Sequence, residues 1–148
     1  MHTKEALIND LRNMGLTGEE AIMVHSSMKS IGAVDGGADT VVDAFMEFFK
    51  EGLFMTPTHT WAQMSREYDT FNPATEPACV GIIPNVFRQR EGVVRSLHAT
   101  HSIAAYGKDA DCILCEARKV FEVCAKFFAI EETCIIERDE IPETWWKE

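Results

Sequence analysis

The chain has 148 residues, the length of one ordinary domain, and 46% of them are hydrophobic, enough to bury a core. Its 14 Lys and Arg against 24 Asp and Glu leave a formal net charge of −10, which disfavours a nucleic-acid partner and attracts a cationic small molecule. No apolar run approaches the roughly 20 residues of a membrane span, and charges stand where a secretory leader is apolar, so a soluble cytoplasmic protein with no membrane association is expected. The 5 cysteines, an odd number without framework spacing, fit reduced thiols.

Thr3 to Met14 predicts an amphipathic helix. Leu7, Ile8, Leu11 and Met14 recur at spacings of three and four, Lys4, Asp10 and Arg12 take the wet side, and Gly15 caps the end. Ala21-Ile22-Met23-Val24 reads as a short buried strand. It leads into His25-Ser26-Ser27-Met28-Lys29-Ser30-Ile31-Gly32, followed by Gly36 and Gly37. Hydroxyls, one cation and glycines at the end of a strand supply the donors and close backbone approach that phosphate oxygens need. The spacing is neither GxGxxG nor GxxxxGK[ST], so a dinucleotide fingerprint and a P-loop are excluded. Two readings stay open, a phosphate cradle and a Ser/Gly-rich turn capping the next helix.

Thr40 to Phe49 predicts that helix, with Val41, Val42, Phe45, Phe48 and Phe49 apolar, Asp39 near its start and Gly52 past its end. Leu53-Phe54-Met55-Thr56 predicts a second strand, which Pro57 must end or place at an edge. Strand, helix and strand together make a βαβ unit with two parallel strands. From Thr58 to Cys79 periodicity disappears, while Trp61, Tyr68, Phe71, His59, Glu67, Asp69 and Glu76 accumulate. This is either a functional loop whose rings and carboxylates meet a polycationic ligand, or a lid that folds its aromatics onto the core.

Pro84 stands in the first turn of a short helix running to Gln89, with Ile82, Ile83, Val86 and Phe87 apolar. Arg88, Arg90 and Arg95 around Gly92 form a basic patch able to hold a phosphate. Val93-Val94 and Ile103-Ala104-Ala105-Tyr106 read as two more short strands, and between them lies His98-Ala99-Thr100-His101-Ser102. Imidazole titrates near neutral pH, so His98 and His101 are the candidate general bases, with structural hydrogen bonding as the alternative role. Ile113 to Phe128 carries the clearest helical stripe of the chain, and Cys134-Ile135-Ile136 reads as a last strand. Cys112 and Cys115 have CxxC spacing, only half of a structural zinc site, so no metal centre is predicted.

Several of these blocks closely resemble the aminoglycoside 3-N-acetyltransferase family. They are Val24 to Gly32, Gly36 to Ala44, Met55-Thr56-Pro57-Thr58, Phe71-Asn72-Pro73-Ala74-Thr75, Gly81-Ile82-Ile83-Pro84, Arg95-Ser96-Leu97-His98 and His101 to Gly107, in family order over about the first 110 residues. The resemblance implies a mixed α/β fold, a sheet flanked by helices, distinct from the common N-acetyltransferase superfamily. It also implies transfer of an acetyl group from acetyl-coenzyme A to an amine of an aminoglycoside or related cationic molecule. On the same ground, His25, Ser26, Ser27, Lys29, Ser30 and Gly32 are expected to contact coenzyme A, with Thr58 and Ser102 lining the thioester end.

Two departures stand out. Cys112 to Trp146 resembles the family's C-terminal helix and tail, so the central segment, with its histidine followed shortly by an acidic residue, has no counterpart. Ala99 stands where the family usually has proline. One α/β domain over residues 1–148 with an unpaired sheet edge is therefore expected, and with it a homo-oligomer. Three functions stay open: an acetyltransferase of impaired rate, a coenzyme A-binding or structural remnant, and an interaction module without ligand.

Overall fold

The Leu7–Leu11 stripe builds helix α1 (Lys4–Asn13), with Ile8 and Leu11 buried and the Thr3 hydroxyl accepting from the N–H of Ala6 as N-cap. In the computed structural model, which describes residues 1–65 and 67–114, α1 is followed by β1 (Ala21–Met23), α2 (Met28–Ile31), α3 (Gly37–Phe48), β2 (Leu53–Pro57), α4 (Ile82–Phe87), β3 (Val94–Arg95) and β4 (Ile103–Gly107). Helix α3 begins three residues earlier than Thr40. Gly36 adopts the left-handed conformation at its N-cap, which lets the chain turn directly into the helix.

The four strands form one mixed sheet in the order β1-β2-β4-β3. Strand β1 runs parallel to β2, while β2 with β4 and β4 with β3 are antiparallel. A mixed sheet flanked by helices is the fold expected from the sequence. Pro57 does end β2. Its neighbour Thr58 donates to Ser102 on the β4 side, and the donor that Pro57 lacks falls past Met23, where β1 has already stopped.

The register decides which residues meet the helices. Phe54 opposes Tyr106 and Thr56 opposes Ala104, while Arg95 opposes Ala104 from the other side, so these share one face. On that face Phe54 sits 5.1 Å from the ring of Phe45 and 4.5 Å from that of Phe87, within a core that includes Leu11, Val41, Val42, Phe49 and Ile83. At the far end of the sheet Gly107 holds φ of 104°, and a Cβ there would stand 2.3 Å from the carbonyl oxygen of Gly52. Only glycine lets those two backbones pass so closely.

Ile113 and Leu114 lie in a short 3-10 segment, Ala110–Leu114. The rest of the stripe running to Phe128, the strand around Ile135 and the second cysteine of the CxxC pair lie outside the described residues. Among the described residues no helix is long and apolar enough to cross a membrane.

Candidate active site at the carboxyl ends of the parallel strands

The pairing of β2 with β4 continues past both strand ends. Thr58 N–H donates to Ser102 O and Thr60 N–H to Thr100 O, each at 2.9 Å, so Thr58 faces Ser102, His59 faces His101 and Thr60 faces Thr100. Because side chains alternate, Thr58 and Ser102 turn to the helix face and His59 and His101 to the other. The two imidazole rings lie 4.9 Å apart. His25 arrives beside them at the end of β1, and His98 stands 5.6 Å from the His101 ring.

On the helix face the hydroxyls are locked around a guanidinium. Thr58, Ser102 and Arg95 are 0%, 0% and 7% exposed. Arg95 Nε donates to both hydroxyl oxygens at 3.1 Å, Nη2 donates to Thr58 O at 2.7 Å, and Nη1 donates to the carbonyls of Pro73 and Glu76. Ser102 Oγ donates to Thr58 O at 2.8 Å. The Phe71 ring completes the enclosure, 5.0 Å beneath the guanidinium. Burial first, and then the neighbouring Arg88, lowers the Arg95 pKa to about 10, so it is cationic at neutral pH. The expected ligand-lining residues Thr58 and Ser102 are thus placed beneath the site, where they bind the long loop to the sheet through Arg95.

The three arginines do not form the phosphate-holding basic patch that the sequence predicts. Arg95 is buried, Arg88 bonds to Asn85 Oδ1 and Ala74 O, and Arg90 pairs with Asp39 at 2.7 Å and Asp43 at 3.1 Å. Their proximity in sequence spans a helix end and a strand, whose side chains point in different directions.

The other face is built of imidazoles. His98 Nδ1 accepts from the backbone N–H of His101 at 3.0 Å and of Thr100 at 3.3 Å, which assigns the proton of its neutral form to Nε2. Burial, then His101, holds the pKa of His98 below the ordinary imidazole value. The same is true of His59, through burial first and then His101, His25 and His98. Both rings are therefore neutral at pH 7. His101 Nδ1 lies 2.9 Å from Thr100 Oγ1. Among the described residues no group of three or more His, Cys, Asp or Glu side chains is placed to hold a metal.

The serine loop adjoins this cluster. Ser27, at the N-cap of α2, and Ser30, Lys29 and His25 are exposed, whereas Ser26 Oγ is buried without a hydrogen-bond partner among the described residues. Ser26 faces an apolar cavity of about 270 Å³ between α1, α3 and the sheet. Gly32 ends α2 with φ of 91°, a conformation that other residues adopt only with strain. Across the site the long loop divides its aromatics. Phe71 turns inward onto Arg95, while Trp61 (55% exposed) and Tyr68 (51% exposed) turn outward, the latter donating its hydroxyl to Glu76 Oε2 at 2.9 Å.

Two placements are not evident from local sequence. His59 is one ring among many in an aperiodic loop, and Arg95 stands with Arg88 and Arg90 around Gly92. Aligning Thr56-Pro57-Thr58-His59-Thr60 antiparallel to Thr100-His101-Ser102-Ile103-Ala104 pairs hydroxyl with hydroxyl and imidazole with imidazole, and that pattern was the available signal.

The sequence profile described as aminoglycoside 3-N-acetyltransferase matches residues 23–126, an interval that contains the whole of this site. Aminoglycoside N(3)-acetyltransferase III of Salmonella sp is 29% identical over 130 residues, covering 76% of this chain and 46% of that protein. The crystal structure of YokD protein from Bacillus subtilis superposes with a TM-score of 0.69 at 30% identity, over 77% of this chain and 54% of that one. AAC-VIa bound to sisomicin superposes with a TM-score of 0.68 at 27% identity, over 78% and 50%. The chain spans about half the length of the curated relatives it matches.

Proposed function

From the premise that this chain belongs to the aminoglycoside 3-N-acetyltransferase family, we propose that it moves an acetyl group from acetyl-coenzyme A to an amine of an aminoglycoside or similar cationic small molecule. The observation that carries this reading is the meeting of the exposed serine loop with a cluster of imidazoles at the carboxyl ends of β1 and β2. Open α/β sheets bind ligands at such ends. His25, Ser27, Lys29 and Ser30, with the backbone around Gly32, hold the phosphates of coenzyme A. Thr58 and Ser102 support the thioester end from beneath. The exposed Trp61 and Tyr68 rings, the exposed Glu67 and Asp69 carboxylates and the net charge of −10 suit a cationic acceptor.

In the reaction a neutral amine attacks the thioester carbonyl. The N–C bond forms, the C–S bond breaks, and the amine proton passes through a base to the departing thiolate. His98 and His101 are the candidates for that base. Because nothing in this sequence resembles the central histidine and acid that the family resemblance implies, the rate is expected to be very slow or undetectable by thiol release within minutes, far below the ~10 s⁻¹ median of enzymes. We further read the chain as one α/β domain over residues 1–148, cytoplasmic and homo-oligomeric.

Thiol release with acetyl-coenzyme A and several aminoglycosides, alongside calorimetry with coenzyme A, tests the proposal. Binding with slow acetylation supports it. A turnover of order 1 s⁻¹ overturns the impairment, binding without any acetylated product leaves a coenzyme A-binding remnant, and loss of both leaves an interaction module.

A further inference from the structure

We propose that the cross-strand pair His59–His101, and not His98, accepts the proton of the acceptor amine. The inference rests on the acetyltransfer reading above. The register brings the two rings to 4.9 Å between centroids, tilted at 55°, on the side of the sheet away from the Arg95 network. His98 does not suit the task. Its Nδ1 already accepts two backbone N–H groups, which places the proton of its neutral form on Nε2 and leaves that ring no open lone pair for a proton.

His59 has the complementary properties. Among the described residues its ring makes no hydrogen bond, so a lone pair remains to take a proton. The charged or titratable groups acting on it are His101, His25 and His98, all imidazoles, so no carboxylate holds it in the protonated form. Being neutral at pH 7, it satisfies the first condition of a base.

The pairing adds a second condition. After one ring takes the proton, its partner 4.9 Å away disfavours a second protonation and keeps a neutral acceptor nearby. As the tetrahedral intermediate collapses, the C–S electron pair goes to sulfur and the proton passes from imidazole to thiolate. The pair returns neutral and the products are the acetamide and coenzyme A thiol, with atoms and charge in balance.

The experiment is overnight single turnover with acetyl-coenzyme A and a deoxystreptamine aminoglycoside, the acetylated product being counted by mass spectrometry from pH 5 to 9. His59→Gln and His101→Gln are each expected to slow product formation by about 10²-fold or more. The double variant should lose little beyond either single one, because the pair acts as a unit. In His59→Gly, added imidazole should restore a part of the rate, which a purely structural histidine would not allow. Side-chain ¹⁵N titration should show the His59 midpoint rising toward the ordinary value in His101→Gln. Wild-type-like rates in both single variants, or loss of rate in His98→Gln alone, would overturn the assignment while leaving acetyltransfer standing. Absence of product from the wild type would overturn both. If His59→Gln fails to fold, His101→Gln, at an exposed position, decides with the same readouts.

Discussion

The two faces of one pair of strand ends are built on opposite principles. Toward the helices, Thr58, Ser102 and Arg95 are buried and hydrogen-bond one another. Toward the other side, one residue along each strand, His59 and His101 stand together without a comparable network. The comparison teaches that the hydroxyls of a strand end can be tied into the scaffold while their neighbours along the same strands stay clear of it. Residues chosen for hydrogen-bonding capacity alone would be assigned the other way round.

The sharpest way to break the comparison is to remove the scaffold. Arg95→Met strips donors from the buried carbonyl of Glu76 and the part-buried one of Pro73, while Thr58 O keeps the Ser102 hydroxyl, and each acceptor left unsatisfied costs about 1–3 kcal/mol. Urea unfolding should therefore show a loss of about 2 kcal/mol or more. Arg95→Lys should recover little of it, since an ammonium cannot reach three carbonyls and two hydroxyls from one fork. A loss below about 1 kcal/mol would mean that the network is incidental.

A smaller effect is expected on the ligand side. Ser27→Ala and Ser30→Ala each remove an exposed hydroxyl from the phosphate loop, at about 1.5–3 kcal/mol if the hydroxyl bonds a charged oxygen. Calorimetry should show coenzyme A binding weakened roughly tenfold or more per site, with the thermal midpoint unmoved. An unchanged dissociation constant in the double variant would return the loop to the role of a turn.

The smallest effect is a pH dependence that separates the two ends of the molecule. His59 and His98 have folded-state pKa values below their unfolded ones, so the unfolded chain binds protons first and stability falls as pH drops below about 6.5. Far from the site, the Glu20 carboxylate accepts from the N–H groups of Thr17 and Gly18 at 2.8 and 2.9 Å and from the Thr17 hydroxyl. These bonds, the Thr17 N–H first, lower its pKa to about 2. Its contribution is present above the unfolded value of about 4.3 and disappears as pH falls toward 2. Urea midpoints measured from pH 8 to 2 should show both windows, and Glu20→Gln should weaken only the lower one, to which Glu5 also contributes.

How much was legible follows from the range of the interactions. Helix α1, the βαβ unit, the strand that Pro57 ends and the aperiodic loop all declare themselves through local spacing, and the structure has them within a few residues. The start of α3 was missed because Gly37, Ala38 and Asp39 lack an apolar stripe, although a left-handed Gly36 suffices to begin a helix there. The site was half legible. Its serine loop is contiguous, whereas the opposition of His59 to His101 depends on a register that no local signal states. The burial of Arg95 is hidden for the same reason, since a cation near two others in sequence says nothing about which way each strand residue points.

The alternation at the ends of β2 and β4 also sets a rule for how this region tolerates change in length. Inserting or deleting one residue between Pro57 and Thr60 would carry imidazole into the core and hydroxyl into the open, exchanging the two faces in a single step, whereas a two-residue change could restore the parity. Loop grafts from longer relatives, and any recombination junction placed here, must therefore keep an even offset relative to the 100–104 strand. A junction in the exposed 67–70 stretch of the loop carries no such constraint.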